Sequence, residues 1–384
     1  MGKKKSLEAL AKEKCCDYYK VERELQRKFK NQLKYNGFQK KEYYSNDDAV
    51  KRLNGLLDII NTFFVNNVKS EYLNNRKDHF DFFKIWRKFN RDVAYMDERL
   101  NFSNKVEQLG GLGEVYEIET IELYKFSFDS IKELGDRMFN AYEKFFPIYK
   151  KIAQKEAILR QGIEGEKNLY NRLKIIGDRI RIIQNARYVI DDDFSVEHDM
   201  IVISTYGIFS IEIKNWGLNS HINEKGYLVN KNGKSVNVIE QSMRHVHNLE
   251  RVIQKEMYHN AEVHPLIVWV NEKSKITNDF KYVTVCNYND VEFELFNSKK
   301  YNQIYSQEDV DAIYRKLQEI KIPEKKYDLD IDIDGLIEST PKFVAGLKLL
   351  PELVEIDKEM KETDSSLPTV IGAVLGVILS LIDS

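Results

Sequence analysis

The sequence predicts an α/β protein: a mixed-sheet core, preceded by a mostly α-helical N-terminal region and followed by a helical C-terminal tail. Three observations carry this. Residues 1–155 contain long, charge-laced stretches whose apolar residues recur at helical spacing. From about residue 160, short apolar runs of strand type alternate with helical patterns, in the order helix, three strands, helix, strand, then further strand and helix. The stretch 367–382 carries no charge over sixteen residues. The expected divisions are 1–155, a helical region for oligomerisation or sensing; 156–322, the sheet-bearing domain; 323–366, an acidic linker and helix; and 367–384, an apolar helix.

The first elements follow from periodicity. "LNGLLDIINTFFVNNV" (53–68) and "FDFFKIWRKFNRDVAYMDERL" (80–100) place apolar residues on one helix face. "GGLGE" (110–114) interrupts, and the pattern resumes over 128–154. Such helices pack on one another or on a second copy of the chain, so a homo-oligomer is expected.

The second half reads differently. "EGEKNLYNRLKII" is helical, and "ARYVI" (186–190) is strand-like. "DMIVIS" (199–204) and "IFSIEIK" (208–214) read as strands around the turn Thr205, Tyr206, Gly207. "GYLVN" (226–230) is a short strand, and 239–257 an amphipathic helix with Ile239, Met243, Val246, Leu249, Ile253 and Met257 on one side. "HPLIVWVN" (264–271) has the continuous apolar character of a central strand. "YVTVC" (282–286) and "VEFELF" (291–296) read as strands, and Ser306 with Asp309 as a capping box opening a helix. In the tail, Gly372, Gly376 and Ser380 recur every four residues, as in close-packed helix pairs. Sixteen residues fall slightly short of a membrane span. Burial in an oligomer or under the helical region and insertion in a membrane both remain open for 367–382.

Composition bounds the partners. A chain of 384 residues, 42% hydrophobic and 31% charged, is globular and long enough for two or three domains. The net charge of −2 conceals an asymmetry: residues 1–42 hold thirteen Lys or Arg against six Asp or Glu, and residues 324–384 hold six against thirteen. A basic arm attracts polyanions, although a lysine-rich helix can be merely solvated. Cys15, Cys16 and Cys286 make no disulfide framework, and the charged start is unlike a signal peptide. A reducing cytoplasm is the expected compartment.

The end of "FSIEIK" carries the chemistry. Residues i and i+2 of a strand share a face, so Ile208, Ser210, Glu212 and Lys214 lie together. With a two- or three-residue turn, Asp199 falls directly or diagonally opposite the Glu212–Lys214 pair. On the helix before the strands, Glu166, Leu169, Tyr170 and Leu173 occupy one stripe, which puts a carboxylate on the apolar side. Gln241 lies near the start of the later helix, within reach of the same place. Hard divalent cations such as Mg²⁺ or Mn²⁺ take oxygen ligands and keep several waters. Asp199, Glu212 and the backbone carbonyl of Ile213 offer such oxygens, with Glu166 completing the set through water or steering the lysine. The metal would activate a water and offset charge on a scissile phosphate. Lys214 would orient that water or stabilise developing negative charge. An E-x-K at a strand end is by itself an ordinary surface ion pair; what stands out is the ordered set of five.

"GIEGEKNLYNRLK", "HDMIVISTYGIFSIEIKNWG" and "EQSMRHVHNL" resemble the NERD (nuclease-related) domain, a branch of the PD-(D/E)xK nuclease superfamily. The resemblance spans roughly residues 160–300. It implies a PD-(D/E)xK-type core of helix, three strands, helix and strand, and metal-dependent cleavage of phosphodiester bonds. It also implies a site of Glu166, Asp199, Glu212, Lys214 and Gln241. Lys167, Asn215 and Arg244 are the expected nucleic-acid contacts, with DNA placed ahead of RNA. Defence of a bacterial cell against foreign nucleic acid is the setting such a layout suggests. His198 stands where the superfamily name has proline, at a position that carries no ligand.

Other signals lead elsewhere. "DLDIDIDG" (328–335) starts like a calcium loop, but the twelfth position from Asp330 is Pro341. His245 and His247 are two apart on a helix, face different directions and make no metal pair; His247 is the one placed to graze a phosphate. The competing reading is a non-cleaving nucleic-acid-binding or scaffold protein on the same fold, tethered to a membrane or not. The carboxylates argue against it, because a pure binder gains nothing from negative charge beside phosphate.

Overall fold

The computed structural model describes residues 7–38, 42–68, 118–191, 194–216, 219–229, 235–257, 261–297 and 299–363. The helical pattern at 80–100, the glycine-rich break at 110–114 and the apolar tail at 367–382 lie outside the described residues. So do the side chains of Cys15 and Cys16. Among the described residues no helix is long and apolar enough to cross a membrane.

The chain divides into two compact units: Met1–Lys41, Leu53–Gln154 and Asp330–Ser384 form one, and Glu42–Arg52 with Lys155–Leu329 the other. The first is built from helices α1 (Leu7–Tyr35), the later part of α2 (Asn46–Asn67), the earlier part of α3 (Ile118–Lys174) and α7 (Ile333–Thr363). Aromatic rings fill its centre. Phe29 meets Phe63 at 4.8 Å between ring centroids, and Phe64 meets Phe145 at 5.4 Å and Phe343 at 5.8 Å. Each ring removes a large apolar area from water, which is how helices rich in lysine and glutamate still acquire a core.

The second unit is the sheet-bearing one. Its strands are β2 (Ile180–Asp191), β3 (Phe194–Ser204), β4 (Gly207–Lys214), β8 (Val263–Trp269) and β10 (Thr284–Asn287), in the spatial order β10-β8-β4-β3-β2. β2, β3 and β4 form an antiparallel meander, while β4, β8 and β10 run parallel. The parallel step is the one that requires a crossover. Helix α4 (Val238–Met257) provides it, after β5 (Ser220–Ile222), β6 (Tyr227–Val229) and β7 (Ser235–Asn237), which form a small sheet with the later β9 (Ile276–Asn278). A short ladder joins β1 (Tyr43–Tyr44) to β11 (Tyr327–Asp328), which brings the remote segment 42–52 into this unit.

Helices cover both faces of the main sheet. Ile201, Ile203 and Ile208 pack with Val246, Leu249 and Ile253 of α4 and with Val310 and Leu317 of α6 (Gln307–Glu319). Met200, Val202, Phe209, Ile211 and Leu266 pack with Leu169 and Leu173 of α3 and with Val291 and Leu295 of α5 (Val291–Leu295). Strand β4 is central and buried on both sides, hence its nearly unbroken apolar run.

Several expectations need correction. "VEFELF" forms α5 rather than a strand. Val291 and Leu295 are buried one turn apart while Phe293 is exposed, so the alternating pattern resolves as one helical turn. β2 begins at Ile180, six residues before the expected strand, and α3 ends at Lys174. The hairpin turn contains two residues, Thr205 and Tyr206; Gly207 already pairs with Ser204. Its φ of 137° suits only glycine, and an added Cβ would lie 2.6 Å from His264 Nε2. The capping box is present: Ser306 accepts from the Asp309 N–H while the Asp309 carboxylate accepts from the Ser306 N–H.

Candidate active site

The site lies where the β3–β4 ladder ends. The last ladder pair toward this end is Met200 with Ile211. One step further, Asp199 Oδ2 accepts a hydrogen bond from the backbone N–H of Ile213 at 2.8 Å, so a side chain takes over from the ladder. N–H and C=O of one strand residue point to the same side. The carbonyl of Lys214 accepts from Val270 on the β8 side. The carbonyl of Ile213 therefore points the other way, toward Asp199 and past the end of the ladder.

A slip in strand alternation shapes this corner. Val196 and Ile201 of β3 both enter the core against α4, although they differ in parity; Ala186 and Ile183 do the same in β2. The β2–β3 ladder skips Asn185, whose φ is 46°. Strict alternation therefore breaks at Asn185 and Asp199, and His198 as well as Ile201 turns toward α4.

Glu212 is only 2% exposed. Its Oε1 accepts from the Lys214 ammonium at 2.6 Å, and Lys214 Nζ also donates to Gln241 Oε1 at 3.4 Å. Its Oε2 is buried, lies 3.2 Å from His245 Nδ1, and accepts no aligned hydrogen bond. Burial alone would push this carboxyl up; the His245 contact and the charge and hydrogen bond of Lys214 outweigh it and hold Glu212 below its ordinary value. Asp199 moves the other way, raised by burial and then by the Glu212 charge, and only partly relieved by the Ile213 N–H. Two carboxylates side by side share their ionisation unequally, as electrostatics requires.

Glu166 comes from α3. Burial, with the negative charges of Asp199, Glu197, Asp47 and Glu324, pushes it up to about 8. Its helix can come close because residue 165 is glycine. A Cβ there would lie 2.9 Å from Asn215 Cβ and 3.0 Å from Val270 Cγ2. Asn215 spends its amide on the Gln161 carbonyl at 2.8 Å, a bond that ties the helix to the end of β4. Lys167 and Arg244 are exposed.

The structure thus joins Lys214 to Glu212 and Gln241, sets Asp199 against Ile213, and brings Glu166 into the field of Asp199. Among the described residues, His245 is a neighbour of Glu212 that the sequence reading left out of the site. Its signal was its spacing from Gln241 rather than from His247: four residues along a helix is one turn, so Gln241 and His245 share a face. His247 is exposed and pairs with Glu250 at 3.3 Å.

The donors fit a particular kind of cation. Among the described residues no group of three or more His, Cys, Asp or Glu is arranged to hold an ion. That is unlike a closed zinc site. Two carboxylates, one with a buried oxygen lacking a hydrogen-bond partner, suit a hard ion that keeps most of its water.

A family model described as nuclease-related domain matches residues 161–270, which contain all five expected site residues. No curated protein matches the chain, and no solved structure matches it.

Proposed function

We propose that this chain, whose residues 161–270 match a nuclease-related domain, is a metal-dependent nuclease that hydrolyses phosphodiester bonds of DNA, or secondarily RNA. One observation carries the reading: a buried carboxylate, Glu212, is flanked by an ammonium on one oxygen, has no aligned hydrogen bond on the other, and sits in the field of Asp199. Burying charge in this way is costly, and a structural ion pair would satisfy both oxygens.

Asp199, Glu212 and the Ile213 carbonyl would hold Mg²⁺ or Mn²⁺, which when bound lowers the pKa of a coordinated water and offsets phosphate charge. The other roles belong to the chain. Lys214, set by Glu212 and Gln241, directs its ammonium at the place where negative charge develops. Gln241 limits the swing of that ammonium. Glu166, raised to about 8, holds a proton near neutral pH and can donate it to water or a phosphate oxygen at this corner.

The test is a cleavage assay on single- and double-stranded DNA and RNA with Mg²⁺, Mn²⁺ or EDTA. The expected result is metal-dependent cutting that falls at least ~100-fold in Lys214→Met, as for loss of one charge-stabilising group, and in Glu212→Gln. A folded wild-type protein inert on every substrate with either metal would overturn the proposal. The absence of a three-residue ligand cluster among the described residues favours a second reading, a nucleic-acid binder that does not cut. Calorimetry with Mn²⁺ separates the two: the nuclease binds the ion and Asp199→Ala does not, whereas the binder shows no ion-dependent heat in either form.

A further inference from the structure

His245 lies one turn beyond Gln241 on α4 and is half-buried. Its Nδ1 is 3.2 Å from Glu212 Oε2. On its other side its ring centroid lies 5.2 Å from that of His198, which is fully buried and has its Nδ1 3.2 Å from Ser210 Oγ.

Glu212 is therefore held at both oxygens, and the two restraints differ. Lys214 makes a short, well-aligned bond to Oε1. His245 stands at ion-pair distance from Oε2, yet that oxygen accepts no aligned hydrogen bond. A hydrogen bond weakens steeply once bent, so the imidazole limits rotation of the carboxylate without occupying the lone pair a cation needs. The terminal torsion of a glutamate is otherwise broad, and Lys214 alone leaves the carboxylate free to pivot about Oε1. Buried His198, tilted against the His245 ring and paired with buried Ser210, backs the restraint.

We propose that His245 is a positioning residue for Glu212: it fixes the plane of the carboxylate so that Oε2 faces a divalent cation. This rests on the reading of Glu212 as a ligand. His245 itself touches neither ion nor substrate, and its effect passes through Glu212 alone. Groups that orient ligands from behind are commonly worth about 10–100-fold in metal affinity or activity.

The test uses the full chain with His245→Ala and His245→Asn, the latter offering an amide N–H near the place of Nδ1. Thermal unfolding first establishes that both fold. In His245→Ala, the Mn²⁺ dissociation constant measured by calorimetry without nucleic acid rises ~10–100-fold. The cleavage rate constant falls to a similar extent while KM for a DNA substrate changes less than about twofold, because uniform substrate binding is untouched. His245→Asn recovers most of both. Wild-type Mn²⁺ affinity and rate in His245→Ala, with Asp199→Asn and Glu212→Gln inactive, overturns the positioning role and leaves the nuclease reading intact. Failure of His245→Asn to recover either quantity also overturns it, since a polar side chain standing against Oε2 is what the claim requires. A wild-type chain that neither binds Mn²⁺ nor cuts removes the nuclease reading and this inference together.

Discussion

The Asp199 carboxylate accepts from the Ile213 N–H at 2.8 Å, at the step where the β3–β4 ladder gives out. A side chain completes a backbone pairing, and in doing so it is held beside Glu212. The bond favours the ionised form, but burial and the neighbouring charge outweigh it.

Asp199 should therefore cost stability in the metal-free protein. Asp199→Asn retains the side-chain oxygen for Ile213 and removes the repulsion with Glu212. The expected outcome is a Tm a few degrees above wild type in EDTA together with loss of cleavage, the trade expected where a functional site stores unfavourable charge. Thermal unfolding of both proteins in EDTA and in Mn²⁺ checks it: Mn²⁺ should raise the wild-type Tm and leave the variant unmoved. A variant less stable than wild type in EDTA would show that the pair is not under strain.

Glu166 gives the protein a pH dependence of defined sign. Its carboxyl is raised from 4.5 to about 8 in the folded chain, so between these values the folded state retains a proton that the unfolded state has lost. Its contribution to stability is present below the unfolded value and is lost as pH rises through the folded one. In EDTA, urea midpoints of wild type should fall between pH 5 and 8, and Glu166→Gln should flatten that slope. Parallel slopes in the two proteins would refute the assignment.

Gly165 should control how closely α3 approaches the site. A methyl group at this position meets Asn215 Cβ and Val270 Cγ2 at about van der Waals overlap, 2.9 and 3.0 Å, and both belong to the sheet side of the contact. Gly165→Ala is expected to destabilise by about 1–3 kcal/mol through overpacking. It should also lower cleavage by displacing Glu166, despite the gain in helix propensity. Gly162→Ala is the control: nothing lies within 4 Å of its added carbon, so propensity alone acts and stability rises slightly.

Much of this site was legible because its parts follow local rules. Alternation placed Glu212 with Lys214, and a tight turn carried Asp199 back beside them. Helical spacing set Glu166 on the stripe of Leu169 and Leu173, both of which are fully buried. What escaped obeys no single period. The α5 segment fits both alternation and one helical turn, and burial of Val291 and Leu295 against α3 decides between them. The slip at Asn185 and Asp199 depends on a pair of strands kinking together, which no one-strand pattern records. Pairing of Tyr43 and Tyr44 with Tyr327 and Asp328 spans most of the chain, and it brings Asp47 within electrostatic reach of Glu166 without any local signal.

Gln241 and His245 ride on the same turn of one helix, and between them they touch the ammonium and the carboxylate at the end of β4. A slide of α4 by a fraction of its pitch would carry both away at once. Lys214 would keep its bond to Glu212 but both would lose their α4 neighbours in a single event, so the contacts of that helix with the end of β4 stand or fall together.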